Sequence, residues 1–239
     1  MKKLVVITGA SSGIGKELAK IFSSNDHPLL LLARRVELIE ELKLENAICK
    51  SVDVRNIDDF KQAIEFAESK YGPVDCLINN AGIMPLDKIY NLDLQSQYDM
   101  IDINVKGVLN GINAVINKMK DNKSGTIINV GSVAGRWTSD NRAVYNGSKF
   151  AVHAISEQTR KEVAPFNVRV LTIAPGLVDT DLISTTVNKE VIEGYDKWKD
   201  SLEAGLSASE VAQVMYYTYN LPQHIALKEI VITSTKQPI

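Results

Sequence analysis

The feature that most constrains this chain is its opening. Leu4-Val5-Val6-Ile7 is a run of apolar, mostly β-branched residues, the mark of a strand buried on both faces. It runs into Thr8-Gly9-Ala10-Ser11-Ser12-Gly13-Ile14-Gly15, small residues punctuated by three glycines. Ile14, Leu18, Ile21 and Phe22 then recur at helical spacing. Such a strand, tight turn and helix make an anion site. The glycines let backbone approach a phosphate, and the unpaired amides at the helix start favour negative charge. Gly9, Ser11, Ser12, Gly13, Ile14 and Gly15 are therefore candidate dinucleotide-binding positions. Their spacing, Gly-x-x-x-Gly-x-Gly, differs from the more familiar Gly-x-Gly-x-x-Gly.

The rest of the chain repeats the alternation. Strands are expected at 29–33, 47–52, 74–78, 125–130, 168–174 and 229–233. Helices are expected up to about residue 24, and over 36–44, 57–67, 95–120 and 145–164. A capping box, Ser207-Ala208-Ser209-Glu210, starts another. Strand and helix alternating throughout predict an α/β fold: a doubly wound, parallel, seven-stranded sheet with helices on both faces. At 239 residues, 45% of them hydrophobic, the chain suits one domain over 1–239. Residues 181–206 show only a weak helical pattern and are the candidate lid over a site.

The total charges exclude some classes. A net charge of −2 leaves no footprint for nucleic acid. Cys49 and Cys76 are too few for a disulfide framework or a zinc site, so no metal is expected and a reducing, cytoplasmic setting is. The apolar stretches after Met1-Lys2-Lys3 and at Leu29–Ala33 are too short for a secretory leader or a membrane span.

The chemistry-bearing residues gather at strand ends, where such sheets bind ligands. Arg34-Arg35 follow the second strand where an acidic residue would hold a ribose 2′-hydroxyl. Arginine there suits a 2′-phosphate, hence NADP rather than NAD, although a basic pair opening a helix is also an ordinary solvated face. Asp53, after the third strand, either meets an adenine amine or caps a turn. Asn79-Asn80-Ala81-Gly82 either lets a flat ligand lie on backbone or is a simple turn. Asn104 falls on the apolar stripe formed by Tyr98, Ile101, Val105 and Val108, where a polar side chain needs partners. Ser132 ends the fifth strand. Tyr145 and Lys149, four apart, share a helix face, and an ammonium beside a phenol lowers its pKa towards neutrality.

Together these motifs, with Pro175-Gly176 and Thr180, resemble the short-chain dehydrogenase/reductase family in its compact single-domain branch, over almost the whole chain. The resemblance implies a Rossmann fold and an NADP-dependent oxidoreductase that moves hydride between cofactor and a small carbonyl or alcohol. It implies that Tyr145 protonates the carbonyl oxygen, that Ser132 holds it, and that Lys149 holds the nicotinamide ribose and lowers the tyrosine pKa. Asn104 would anchor a water joining Lys149 to solvent. Asp53 and Val54 would bracket adenine, Asn80, Ala81 and Gly82 would line the ribose, Pro175, Gly176 and Val178 would also bind the cofactor, and Thr180 would reach the nicotinamide amide. Many NADP-using members carry a basic residue where this chain has Ser12, so phosphate selectivity rests on Arg34 and Arg35. The tail, with Glu229-Ile230-Val231-Ile232, Thr235 and Gln237, resembles NADP-dependent 3-hydroxy acid and serine dehydrogenases. An acid substrate would then meet Arg136 or Arg142. Self-association as dimer or tetramer is implied too. Two alternatives stand beside this reading. One is a 3-oxoacyl-thioester reductase, whose acidic carrier protein would need the Lys118, Lys120, Lys123 cluster. The other is a non-catalytic NADPH-binding regulator.

Overall fold

The computed structural model describes residues 2–203 and 205–238. Along the chain run β1 (Leu4–Thr8), α1 (Gly13–Ser23), β2 (Leu29–Ala33), α2 (Glu37–Glu40), β3 (Ala47–Ser51), α3 (Ile57–Tyr71) and β4 (Val74–Asn79). Then come α4 (Leu94–Ile101), α5 (Gly107–Asp121), β5 (Thr126–Val130), α6 (Ala143–Val163), β6 (Arg169–Pro175) and β7 (Val178–Asp179). The chain closes with α7 (Lys189–Ser201), β8 (Leu206–Ser207), α8 (Ala208–Asn220) and β9 (Glu229–Ile232).

Seven strands form one sheet in the order β3-β2-β1-β4-β5-β6-β9, every pair parallel. Period-two geometry divides the apolar residues between its faces. Leu4, Val6, Leu30 and Leu32 join the core under α3, α5 and α6, while Val5, Ile7, Leu29 and Leu31 join the core under α1 and α8. That is why β1 and β2 are unbroken hydrophobic runs rather than alternating ones. Each fully buried Leu or Ile contributes roughly 1.5–3 kcal/mol. On the α1–α8 side, Phe22 meets Tyr216 and Tyr219 edge-on, with centroids 5.1 and 5.4 Å away. The direction of winding reverses between β1 and β4, and a cleft opens at their carboxyl ends.

Three expectations change. The helix expected over 36–44 shrinks to the single turn of α2, and positive φ at Lys43 and Asn46 marks the turns leading into β3. The helix expected over 95–120 is interrupted by a π-helical segment, Asp102–Lys106. Tyr98 and Ile101, expected on its buried stripe, are 56% and 42% exposed, because the stripe before the interruption is not in register with the one after it. Residues 181–206 are more ordered than their pattern predicts. They form a 3₁₀ turn (Asp181–Thr185), then α7, and β8 pairs with β7 in a separate two-stranded ribbon. The capping box at Ser207 and Glu210 forms as expected.

Candidate active site

A cavity of about 530 Å³ follows the carboxyl ends of the strands from β2 to β6 and is roofed by the 3₁₀ turn and α7. The candidate cofactor and catalytic positions named from sequence line it except Gly15 and Asn104, which pack directly against the lining residues Gly9 and Gly82.

The floor is backbone held by a few polar side chains. Thr8 Oγ1 accepts from the amides of Asn80 and Ala81, each at 3.0 Å. Asn80 Nδ2 donates to the carbonyls of Thr8 (3.0 Å) and Gly9 (3.2 Å), tying β1 to β4. The glycines fit this closeness. Gly9 has φ +66°, and a Cβ on Gly15 would lie 2.3 Å from the Gly9 carbonyl oxygen. Beneath the floor, Asn79 Nδ2 donates to Asn129 Oδ1 and Asn129 Nδ2 to Ser156 Oγ, both at 2.8 Å. This buried chain locks β4, β5 and α6 together. Asn129 and Ser156 were not singled out in sequence, since a lone polar residue in an apolar run carries no partner's address.

At the β2 end, Arg34 and Arg35 are exposed on the cavity rim. Asp53 forms the turn cap that one sequence reading expects, and does so on the cavity wall. Its carboxylate lines the cavity, and Oδ1 accepts from the Arg55 amide at 2.9 Å as a turn cap. The Arg55 guanidinium grips the same carboxylate and reaches Asp99 on α4 at 3.1 Å. Those hydrogen bonds hold the Asp53 carboxyl below the usual range.

At the other end, α6 brings Tyr145 and Lys149 to one wall, 6% exposed each. Lys149 Nζ donates to the Val130 carbonyl at 2.9 Å and lies 5.8 Å from the Tyr145 ring centroid. Ser132 caps a 3₁₀ turn, its Oγ accepting from Ala134 N at 3.1 Å. Its amide points to His153 Nε2 at 3.4 Å, a residue sequence reasoning missed. A Cβ on Gly131 would lie 2.3 Å from that same nitrogen, so glycine is what admits the ring. Asn104 sits in the π-helical segment, a geometry that often marks functional positions. Its Oδ1 accepts from Ile83 N, and its Nδ2 donates to Ile83 O and Ser148 Oγ. Both amide protons are therefore committed to protein groups.

One sequence expectation is corrected. The Tyr145 phenol is not brought below its ordinary value. Burial raises that phenol above its ordinary value, against smaller downward pulls from the Ser132 hydroxyl and the Arg142 charge. Lys149 is itself pushed down to about 8 by the same burial. With both groups out of water, desolvation outweighs their proximity.

Of the two candidate acid-binding arginines, Arg136 is held in an ion pair by Glu229 and lies off the cavity wall, whereas Arg142 lies on it. The basic cluster near α5 is partly spent. Lys118 pairs with Glu68, and Lys120 lies over the Phe166 ring.

A parallel sheet, a glycine-rich turn at the start of α1 and a Tyr–Lys wall share one cleft at the carboxyl ends of the strands. The model of the short chain dehydrogenase family matches residues 3–191. An uncharacterized oxidoreductase of Staphylococcus saprophyticus is 37% identical over 99% of this chain and 98% of that protein. Among solved structures, the closed form of a serine dehydrogenase complexed with NADP+ superposes with a TM-score of 0.92 at 26% identity, covering 99% of this chain and 96% of that one. A 3-ketoacyl-(acyl-carrier-protein) reductase from Brucella melitensis complexed with NADH gives a TM-score of 0.87 at 26% identity, covering 96% of each. The chain belongs to the short-chain dehydrogenase family and is an oxidoreductase. Among the described residues no helix is long and apolar enough to cross a membrane.

Proposed function

We propose that the protein is an NADP-dependent oxidoreductase of a small carbonyl or alcohol, with a 3-hydroxy acid as the leading substrate class. The observation that carries this reading is one continuous cavity holding the glycine loop, the Arg34–Arg35 pair, Ser132, Tyr145 and Lys149. The residues fit a dinucleotide. The loop offers backbone at glycines where a Cβ would be crowded, and the arginine rim offers two cations for a 2′-phosphate. When bound, the cofactor supplies or accepts the hydride.

The chain's own residues do the rest. Gly9 to Gly15 hold the pyrophosphate at the start of α1. Asp53 and Val54 bracket the adenine, Asn80 to Gly82 line the ribose, and Pro175, Gly176, Val178 and Thr180 flank the nicotinamide. Ser132 holds the substrate oxygen. Tyr145, kept protonated by burial, gives its proton to that oxygen in reduction and takes it back in oxidation. Lys149 holds the nicotinamide ribose and passes protons towards solvent. The water joining it to Asn104 must use the main chain or a carbonyl lone pair there, since both amide protons of Asn104 are engaged. Residues 181–206 act as the lid. Thr185 and Thr186 already bond the backbone of Met84 and Leu86, and Asn188 bonds Asp87. Self-association through the long helices and a cytoplasmic location complete the proposal. Leu94, Tyr98, Ile101 and Leu109, exposed on α4 and α5, supply apolar area for the former.

The test is Tyr145→Phe, assayed by NADPH oxidation over a panel of small carbonyls. Losing a positioned proton donor costs roughly 10²–10⁴-fold in kcat, with NADPH affinity kept. Unchanged turnover rejects the mechanism. The solved 3-ketoacyl reductase keeps a second reading in view, but the pairing of Lys118 with Glu68 reduces the basic surface that a carrier protein would need.

A further inference from the structure

Arg142 is a charged residue of the cavity that the reaction just described does not use. It stands at the N-cap of α6, three positions before Tyr145, and its side chain lines the cavity. Its guanidinium carbon lies 5.3 Å from the Trp198 ring centroid and 5.8 Å from that of Tyr195, both on α7. The two rings pack edge-on at 5.7 Å. Nη1 donates to Ser139 Oγ at 3.3 Å. No aspartate or glutamate among the described residues pairs with it, in contrast to Arg136, which Glu229 holds. A guanidinium carries five N–H donors and stays charged at any working pH. Here one donor is used and aromatic faces cover part of the rest. A half-buried cation without a carboxylate is an unfinished ion pair. On the cavity side an apolar cluster of Met84, Leu86, Ala134 and Tyr145, with Leu182 and Tyr195, lies nearby, while on its other side Arg142 borders a second pocket that Asp87, Lys88 and Asn141 also line.

The missing partner is not the cofactor's 2′-phosphate. Arg34 directly follows β2, whereas Tyr145 stands by β5, and the sheet order places β1 and β4 between these strands. Three strand spacings separate the two ends, about 14 Å. Arg142 and Tyr145 stand three residues apart at the start of α6, about 4.5 Å of helical rise, and both line the same stretch of cavity, so a ligand that touches both need span only a few bonds. That is the size of a short acid whose carboxylate lies a few bonds from its carbinol carbon.

Building on the reductase reading above, we infer that Arg142, backed by the Tyr195–Trp198 pair of α7, is the specificity-determining residue that selects a short oxo or hydroxy acid by its carboxylate. The aromatic pair holds the guanidinium between wall and roof, so the anion completes a contact that also ties α7 down. Arg142 acts on binding and orientation, and Tyr145 keeps the proton transfer.

The test compares acetoacetate with its methyl ester as substrates of the whole enzyme with NADPH. Wild type favours the acid, and Arg142→Leu lowers kcat/KM for the acid by roughly 10²-fold or more, as expected on truncating one partner of a desolvated charge pair. The ester loses far less, so the acid-to-ester ratio collapses. Arg142→Lys, which keeps the charge but not the fork, restores part of the ratio. An unchanged NADPH affinity in both variants shows that the fold is kept. A wild type that reduces neutral carbonyls with no preference for acids, or an Arg142→Leu variant that keeps the ratio, overturns the assignment while leaving the reductase reading intact. A wild type that reduces no carbonyl of any kind overturns both.

Discussion

Lys149→Met tests the site's electrostatics without any substrate. The ammonium is 6% exposed and has one protein partner, the Val130 carbonyl. Burial pushes it from 10.5 down to about 8. A drop of that size means that keeping the charge in the fold costs about 3 kcal/mol below pH 8. The lost hydrogen bond returns roughly 1.5–3 kcal/mol of this in the variant, so at neutral pH the variant is about as stable as wild type or slightly more so. The pH dependence is sharper. The folded value lies below the unfolded one, so between about pH 8 and pH 10.5 the unfolded chain holds a proton that the folded chain has released. Wild-type stability therefore rises with pH through that window, and the methionine variant lacks this rise. Between about pH 6.5 and about pH 9.5 the variant loses about 2 kcal/mol relative to wild type, whatever its packing cost. Urea denaturation of both proteins at the two pH values, without nucleotide, gives the difference directly. A difference that stays flat across the window refutes the reasoning. Activity falls in the same variant, the usual trade between a strained site and stability.

Other outcomes follow from the same geometry. With the phenol held above its ordinary value, it is protonated throughout the neutral range, so its own titration adds no pH dependence to reduction there. Alcohol oxidation, which needs the phenolate, climbs as pH rises into the alkaline range, and a steady-state pH profile in both directions checks this. Replacing Arg34 and Arg35 together by alanine weakens NADP+ by roughly 10²-fold through loss of two phosphate contacts and leaves NAD+ nearly unchanged, as read by fluorescence titration. Gly111→Ala places a Cβ 2.2 Å from Asn79 Oδ1, breaks the Asn79–Asn129–Ser156 chain, and costs about 2–3 kcal/mol in a denaturant melt.

Much of the fold was legible because its signals are local. The β-branched runs, the helical spacing after Gly13 and the capping box at Ser207 each state their own conformation. That the motif residues would gather in one cleft was legible because this architecture brings strand ends together, and the motifs fall there. What failed was non-local. The interruption at Asp102–Lys106 turns Tyr98 and Ile101 outward, and only tertiary packing decides that. His153 behind Ser132, and Tyr195 and Trp198 over Arg142, depend on elements that meet only in the folded chain. The Tyr145–Lys149 spacing gave a correct shared face but the wrong sign for the phenol, because spacing carries no information about how much water is lost.

The most direct test of the account is a crystal structure of the protein with NADP+. The account predicts the pyrophosphate on the Gly9–Gly15 loop, the 2′-phosphate between Arg34 and Arg35, and the nicotinamide ring within about 4–5 Å of the Tyr145 hydroxyl, close enough for hydride and proton to reach one carbonyl. A nucleotide seated elsewhere, or one whose nicotinamide lies away from Tyr145 and Ser132, contradicts it.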